Sequence, residues 1–278
     1  MNRINDQFTD YKFTLDNIRT SLLVNNSPPM TSTSITLGTG GGSNLAGGLF
    51  VYLTNPVPSP ATLSVVATGD TFDIDCSQRQ NQTNPATYRS WVYNVTEFPL
   101  NITILQYSSN NNYWIQQNYY YELGGVFLSQ SDGVTNLISP LISFTNSGTN
   151  AIVVNVVPVQ IVGGGSMSGN GPVRVDTRQR ILPKYNISTD PYVSNAWVNL
   201  SFSSSNNATA ATWLKIFNAT AGNLNGNAWN SGGTFNSAPQ RSTVFINITG
   251  LSTGYTPDVY LYVPVSYTHL TLPTNREV

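Results

Sequence analysis

Apolar positions in the first 24 residues recur at alternating steps of four and three: Ile4, Phe8, Tyr11, Leu15, Ile18 and Leu22. That spacing lines all six along one stripe of an α-helix. Asn5, Asp6, Asp10, Lys12, Asp16, Asn17 and Arg19 take the other side. No Pro or Gly interrupts the stretch before Pro28-Pro29, where a helix cannot continue. The stripe is already running at Ile4, with no capping turn ahead of it. The segment therefore reads as the lower half of a longer helix whose upper half is missing. An ordinary amphipathic helix covering a sheet fits the same spacing.

Beyond Pro29 the period changes to two. Short strands are expected at Ser32–Leu37, Gly48–Leu53, Ala61–Ala67, Thr71–Asp75, Tyr88–Tyr93 and Leu100–Leu105, separated by Asn, Gly, Pro and Ser clusters. A second block opens at Asn110. It holds an aromatic strand, Tyr113–Tyr121, then a hairpin turn at Ser131-Asp132-Gly133, with Leu137–Phe144 returning. Ala151–Val162 is the most apolar strand and reads as buried on both faces. In the last third, Ala196–Phe202 reads as a strand and Ala208–Ala221 as a helix, capped by Asn207 or Thr209. Ser242–Ile248 and Asp258–Val263 read as a strand pair against which that helix buries Trp213 and Phe217.

The expected fold is mainly β: an N-terminal amphipathic helix, β-sandwich-like antiparallel sheets, and a small α+β C-terminal lobe. The expected boundaries are 1–27 for the helix, 30–180 for the β-rich domain and 181–264 for the lobe. Residues 265–278, VSYTHLTLPTNREV, resemble translated read-through of a transposon-end sequencing adapter and are set aside from fold reasoning. Genomic sequence at that position would refute this.

Composition narrows the chemistry. Charged residues are 9% of the 278, with a net charge of −1, against about 25% charged in average domains. Solubility must come from hydroxyls and amides, and a near-neutral surface favours self-association. There is no basic patch, which argues against nucleic acid. The single cysteine, Cys76, excludes an internal disulfide and a multi-thiolate metal site and reads as a small core residue. The only histidine, His269, lies in the set-aside tail, so no Ser-His-Asp or Cys-His nucleophile system can be built from the remainder. Asp73 and Asp75 share a strand face and could help hold Ca²⁺, or could be two solvated residues. The runs Gly40–Gly42 and Gly163–Gly165 lack the phosphate-loop spacing and lysine and read as turns. Tyr113, Trp114, Tyr119, Tyr120 and Tyr121 could form a sugar-stacking platform, or line the core. Nine N-x-S/T sequons, at Asn25, Asn81, Asn94, Asn101, Asn186, Asn199, Asn207, Asn218 and Asn247, matter only if the protein is exported. No catalytic residue, cofactor or metal site is expected.

Four stretches, in this order, carry a resemblance: INDQFTDYKFTLDNIRTSLL; STSITLGTGGG with GGLFVYL; YYYELGGVFLSQSDG with SPLISF and VGGGSMSGNGPVRV; and TAATWLKIFNATAGN with STVFINITG and PDVYLYV. Together they span nearly all of residues 1–264, and the chain resembles archaeal type IV pilin-like surface proteins. The resemblance implies a peptidase-cleaved leader, a hydrophobic helix anchored in the membrane or a filament core, and a β-rich ectodomain outside the cell. The leader and the hydrophobic half-helix are absent here, so membrane attachment is implied only through that missing helix. The implied partners are copies of this chain or other surface subunits, in a non-enzymatic structural, adhesive or assembly role. A viral coat or fibre subunit, and a carbohydrate-binding module using the Tyr113–Tyr121 aromatics, are the alternative readings.

Overall fold

The computed structural model describes residues 2–25, 30–38, 59–76, 99–109, 116–147, 151–180, 185–188, 197–224, 228–236, 240–249, 256–261 and 265–271. Among them lie two helices, α1 (Asn2–Asn25) and α2 (Asn207–Ala221). The strands, in chain order, are β1 (Met30–Leu37), β2 (Ala61–Cys76), β3 (Leu100–Ser109), β4 (Asn118–Glu122), β5 (Gly125–Gln130), β6 (Gly133–Ile138), β7 (Leu141–Ser147) and β8 (Ala151–Val157). They continue as β9 (Gln160–Val162), β10 (Gly165–Gly169), β11 (Gly171–Arg180), β12 (Tyr185–Ser188), β13 (Trp197–Ser204), β14 (Trp229–Thr234), β15 (Ser242–Thr249), β16 (Thr256–Leu261) and β17 (Val265–Thr271). The protein is mainly β, with a curled antiparallel sheet and an N-terminal helix. The expected strands Gly48–Leu53 and Tyr88–Tyr93 lie outside the described residues.

The largest sheet has nine strands along the path β14-β15-β13-β2-β3-β4-β5-β6, with β10 also paired to β2. Two four-stranded sheets, β1-β11-β17-β9 and β12-β16-β8-β7, accompany it. All pairings are antiparallel except β16 with β8 and β17 with β9. The strand β13 bonds to β2 from Val198↔Cys76 to Ser203↔Thr71, so the main sheet runs across residue 180.

Three expectations are corrected. The stretch 137–144 is not one returning strand: β6 closes the main sheet and β7 joins another, with Ser139-Pro140 between them. Residues 151–162 divide in the same way into β8 and β9, at Pro158-Val159. Proline has no N–H to offer a central ladder, so each proline marks where the chain changes sheet. The strands β15 and β16 are not partners: β15 lies between β13 and β14, and β16 between β12 and β8. A shared period of two shows that segments are strands but not which strands pair.

The core has two parts, on opposite faces of the central strands. Leu105, Tyr107, Tyr119, Tyr121 and Val126 pack with Phe8, Tyr11, Leu15 and Ile18 of α1. Ile102, Ile104, Tyr120 and Phe127 pack with Trp213, Ile216 and Phe217 of α2. Successive side chains of a strand point to opposite faces. The run Tyr119-Tyr120-Tyr121 therefore serves both cores, and β4 with β5 forms a layer between two helices. This explains why every residue from Tyr119 to Phe127 is buried. The turn joining β4 to β5 is tight: Leu123 has φ 47° and Gly124 has φ 92°. Leu123 is the lone non-glycine at positive φ among the described residues, and burial of its side chain offsets the strain.

The strand β17 lies in residues 265–271, within the segment that resembles adapter. Its pairing with β11 extends from Arg174↔Thr271 to Arg180↔Val265. These are main-chain pairs that any extended segment can make, and they carry no information about the segment's origin.

Candidate functional site

The sequence places its best candidate on α1, and the structure seats that helix on the sheet. Phe8, Tyr11, Leu15 and Ile18 are buried, Ile4 is half-buried, and the Leu22 side chain lies outside the described residues. The Phe8 ring tilts against Tyr119 with centroids 6.4 Å apart. Tyr11 meets Tyr121 edge-on at 5.3 Å, an arrangement that sets the positive edge of one ring on the negative face of the other. The Tyr11 and Thr177 hydroxyls lie 3.4 Å apart, which ties α1 to β11. Arg3 donates to the Gly38 carbonyl at 3.2 Å, and the Thr36 amide donates to Gln7 Oε1 at 3.3 Å. The helix is thus held at its start by polar bonds and along its length by apolar contact.

The expected polar face is corrected at one position. Lys12 is buried, and its ammonium donates to Asp16 at 2.9 Å, one helical turn on. A lysine stem is long enough to cover apolar surface while its charge finds a carboxylate at i+4. Phe13, by contrast, is 57% exposed. Together with Arg3, Asp6, Asp10 and Asn17 it forms the outward face of α1. The Tyr121 hydroxyl is buried without a hydrogen-bond partner, and burial with nearby Tyr11 and Asp16 drives its pKa well up.

A second polar centre lies under α2, at a place no motif or spacing marks. Glu122 is 1% exposed and accepts a hydrogen bond from Trp213 Nε1 at 2.7 Å. The indole is enclosed by aromatic rings: Phe202 stacks on it at 4.8 Å, and Phe72, Phe127 and Phe217 lie within 6.1 Å. Burial pushes the Glu122 carboxyl up to about 8. Asp70 is also buried. It accepts from the Ser204 hydroxyl at 3.0 Å and the Ser205 amide at 3.4 Å, and pairs with Arg241 at 3.3 Å. Burial outweighs those partners and leaves the Asp70 carboxyl above its ordinary value. Arg241 also donates to the Gly69 carbonyl. This network pins the β2 bulge, where pairing with β3 shifts between Ala67 and Thr71, to the start of α2.

The cap of α2 is Asn206, not Asn207 or Thr209. Its Oδ1 accepts from the Ala208 amide at 2.9 Å and the Thr209 amide at 3.4 Å. Asn207 instead accepts from the Ser242 hydroxyl, and Thr209 is buried. Asn206, Asn207 and Thr209 are all chemically able to cap, and only the backbone decides among them.

The other sequence candidates are dispersed. Tyr119, Tyr120 and Tyr121 are core residues, so those three form no sugar platform; Tyr113 and Trp114 lie outside the described residues. Asp73 and Asp75 share one face of β2, across from Ser201 and Asn199. Among the described residues, no three His, Cys, Asp or Glu side chains gather closely enough to hold a metal ion. Asn101 is exposed on β3, and Asn218 is exposed on α2, accepting from Ser231. Asn199 and Asn247 are half-buried opposite one another, with Asn247 Oδ1 fully enclosed and unpartnered. Asn81 and Asn94, and the side chains of Asn25, Asn186 and Cys76, lie outside the described residues. No helix among the described residues is long and apolar enough to cross a membrane.

Compared with family models, with curated protein sequences and with solved structures, the chain matches none.

Proposed function

We propose that this protein is a non-enzymatic, extracellular pilin-like protein, in which α1 carries the β domain into a surface assembly. The observation that supports this reading is the seat of α1. Its apolar stripe is consumed by the protein's own sheet through Phe8, Tyr11, Leu15 and Ile18. Neighbouring subunits would then meet the outward face, where Phe13 is exposed among Arg3, Asp6, Asp10 and Asn17. A helix held rigidly to its domain on one side and open on the other suits a stalk that packs beside copies of itself. The low charge of the chain suits close packing of such copies.

The reading is tested on the gene and on the cell. The frame 5′ of the Met1 codon should encode a peptidase-cleavable leader and about 20 apolar residues. Immunogold labelling of intact cells with antibody to the β domain should decorate the surface. An upstream stop codon with no apolar segment, together with label confined to the cell interior, would overturn it.

A further inference from the structure

Glu122 is a buried acid that the proposed function does not use. It sits at the end of β4, at the tight turn through Leu123 and Gly124, with its carboxyl directed under α2. The groups that face it are few. Trp213 of α2 donates to it, Tyr120 of β4 and Asp70 of β2 lie close enough to act on it, and Thr209 of α2 bonds Tyr120. None of these supplies positive charge. The Arg241 guanidinium, beside Asp70, is committed to Asp70 and the Gly69 carbonyl. Lys215 of α2 is exposed. Among the described residues, no lysine or arginine pairs with Glu122.

A carboxylate enclosed by indole and phenyl rings, with a second carboxyl nearby and one neutral donor, is strongly disfavoured as the ion. We propose that Glu122 folds in as the neutral acid, and that its deprotonation releases α2 from the sheet, making this helix an alkali-sensitive element. The geometry gives the sensitivity its place. The Trp213 ring is the centre of the α2 core, and its hydrogen bond reaches the buried Glu122 carboxyl directly.

The sign follows from linkage. The acid titrates near 4.5 when unfolded and near 8 when folded. Its favourable contribution is whole below about 4.5, falls as pH rises, and is lost above about 8. One proton makes the folding equilibrium fall nearly tenfold per pH unit in the middle of that window and less at its edges, or about four-hundredfold from pH 5 to pH 8.

The experiment measures the unfolding equilibrium of the wild type and of Glu122→Gln at half-unit steps from pH 5 to pH 9. The glutamine keeps an acceptor for Trp213 and removes the proton. The ratio of wild-type to Glu122→Gln folding constants should fall about four-hundredfold from pH 5 to pH 8, groups that do not interact with Glu122 cancelling in the ratio. A ratio independent of pH overturns the proposal. Two measurements on the wild type alone guard against a variant that fails to fold. Infrared spectra at pH 7 should show a protonated carboxylic acid in a dry site. Amide exchange, corrected for intrinsic rate, should show α2 losing protection at pH 9 while α1 keeps it. Absence of the acid band, or equal loss in both helices, overturns the proposal as well.

Discussion

Two phenylalanines on one helix give the sharpest test of how α1 is used. Phe8 is fully buried against Tyr119, and Phe13 is 57% exposed. Both are five residues apart in the same helix, so Phe→Ala changes helix propensity equally in each. Truncating a buried phenylalanine costs about 3–5 kcal/mol, the lost transfer of the ring plus the cavity left behind. The upper part of that range is expected for Phe8. Its neighbours Tyr119 and Tyr121 stand on β4, which is paired on both sides and packed on its far face by the α2 core. That layer has little freedom to collapse into the cavity. Phe13→Ala should cost under about 0.5 kcal/mol. Urea titration with far-ultraviolet circular dichroism measures both. Phe8→Ala should lower the midpoint while keeping the slope, because the helix remains part of the cooperative unit. If the helix instead undocks before the domain unfolds, the slope falls and the loss is limited to the docking energy. Equal, small effects at Phe8 and Phe13 would refute the docking of this face.

Other predictions follow from single contacts. Leu15→Asp should destabilise more than Phe8→Ala, because it buries a charge without a partner; unchanged thermal unfolding would contradict it. Asn206→Ala should cost about 1 kcal/mol by leaving the Ala208 and Thr209 amides unpaired, whereas Asn207→Ala should not show this cap loss in a denaturation series. Gly124→Ala places a side chain at φ 92° and should cost about 1–2 kcal/mol, read as a shift in midpoint. When the chain is secreted from a glycosylating host, mass spectrometry should find glycan at exposed Asn101 and none at Asn247, whose amide oxygen is enclosed.

Much of this fold was legible in the sequence, and the exceptions have physical causes. The stripe Ile4–Leu22 gave α1, and the buried set Phe8, Tyr11, Leu15 and Ile18 lies on the face its spacing defines. Lys12 was misplaced because binary patterning treats lysine as polar throughout, whereas its four-carbon stem packs like an apolar side chain. Strand positions followed from alternation, but partners did not. Alternation at 242–248 and 258–263 says which side chains share a face and nothing about which edge is next. The splits at Pro140 and Pro158 carried a usable signal, since a proline within an apolar run argues against one central strand. The aromatic run at 119–121 was ambiguous between platform and core, and only the presence of a helix on each face resolves it. The Glu122–Trp213 bond joins residues 91 apart, and no local spacing announces such a contact. The reading of α1 as a stalk rests on resemblance and on the seat of the helix, not on any motif.

The most direct test of that reading is a photo-cross-linker placed at Phe13 in the protein as its own cells produce it. The outward face of α1 should capture a second copy or another surface subunit, and the adduct should fractionate with the cell envelope. The same cross-linker at Leu15 should react only within its own chain. Capture from Phe13 that yields no subunit adduct, with the protein recovered as a monomer from the cell interior, would contradict the account.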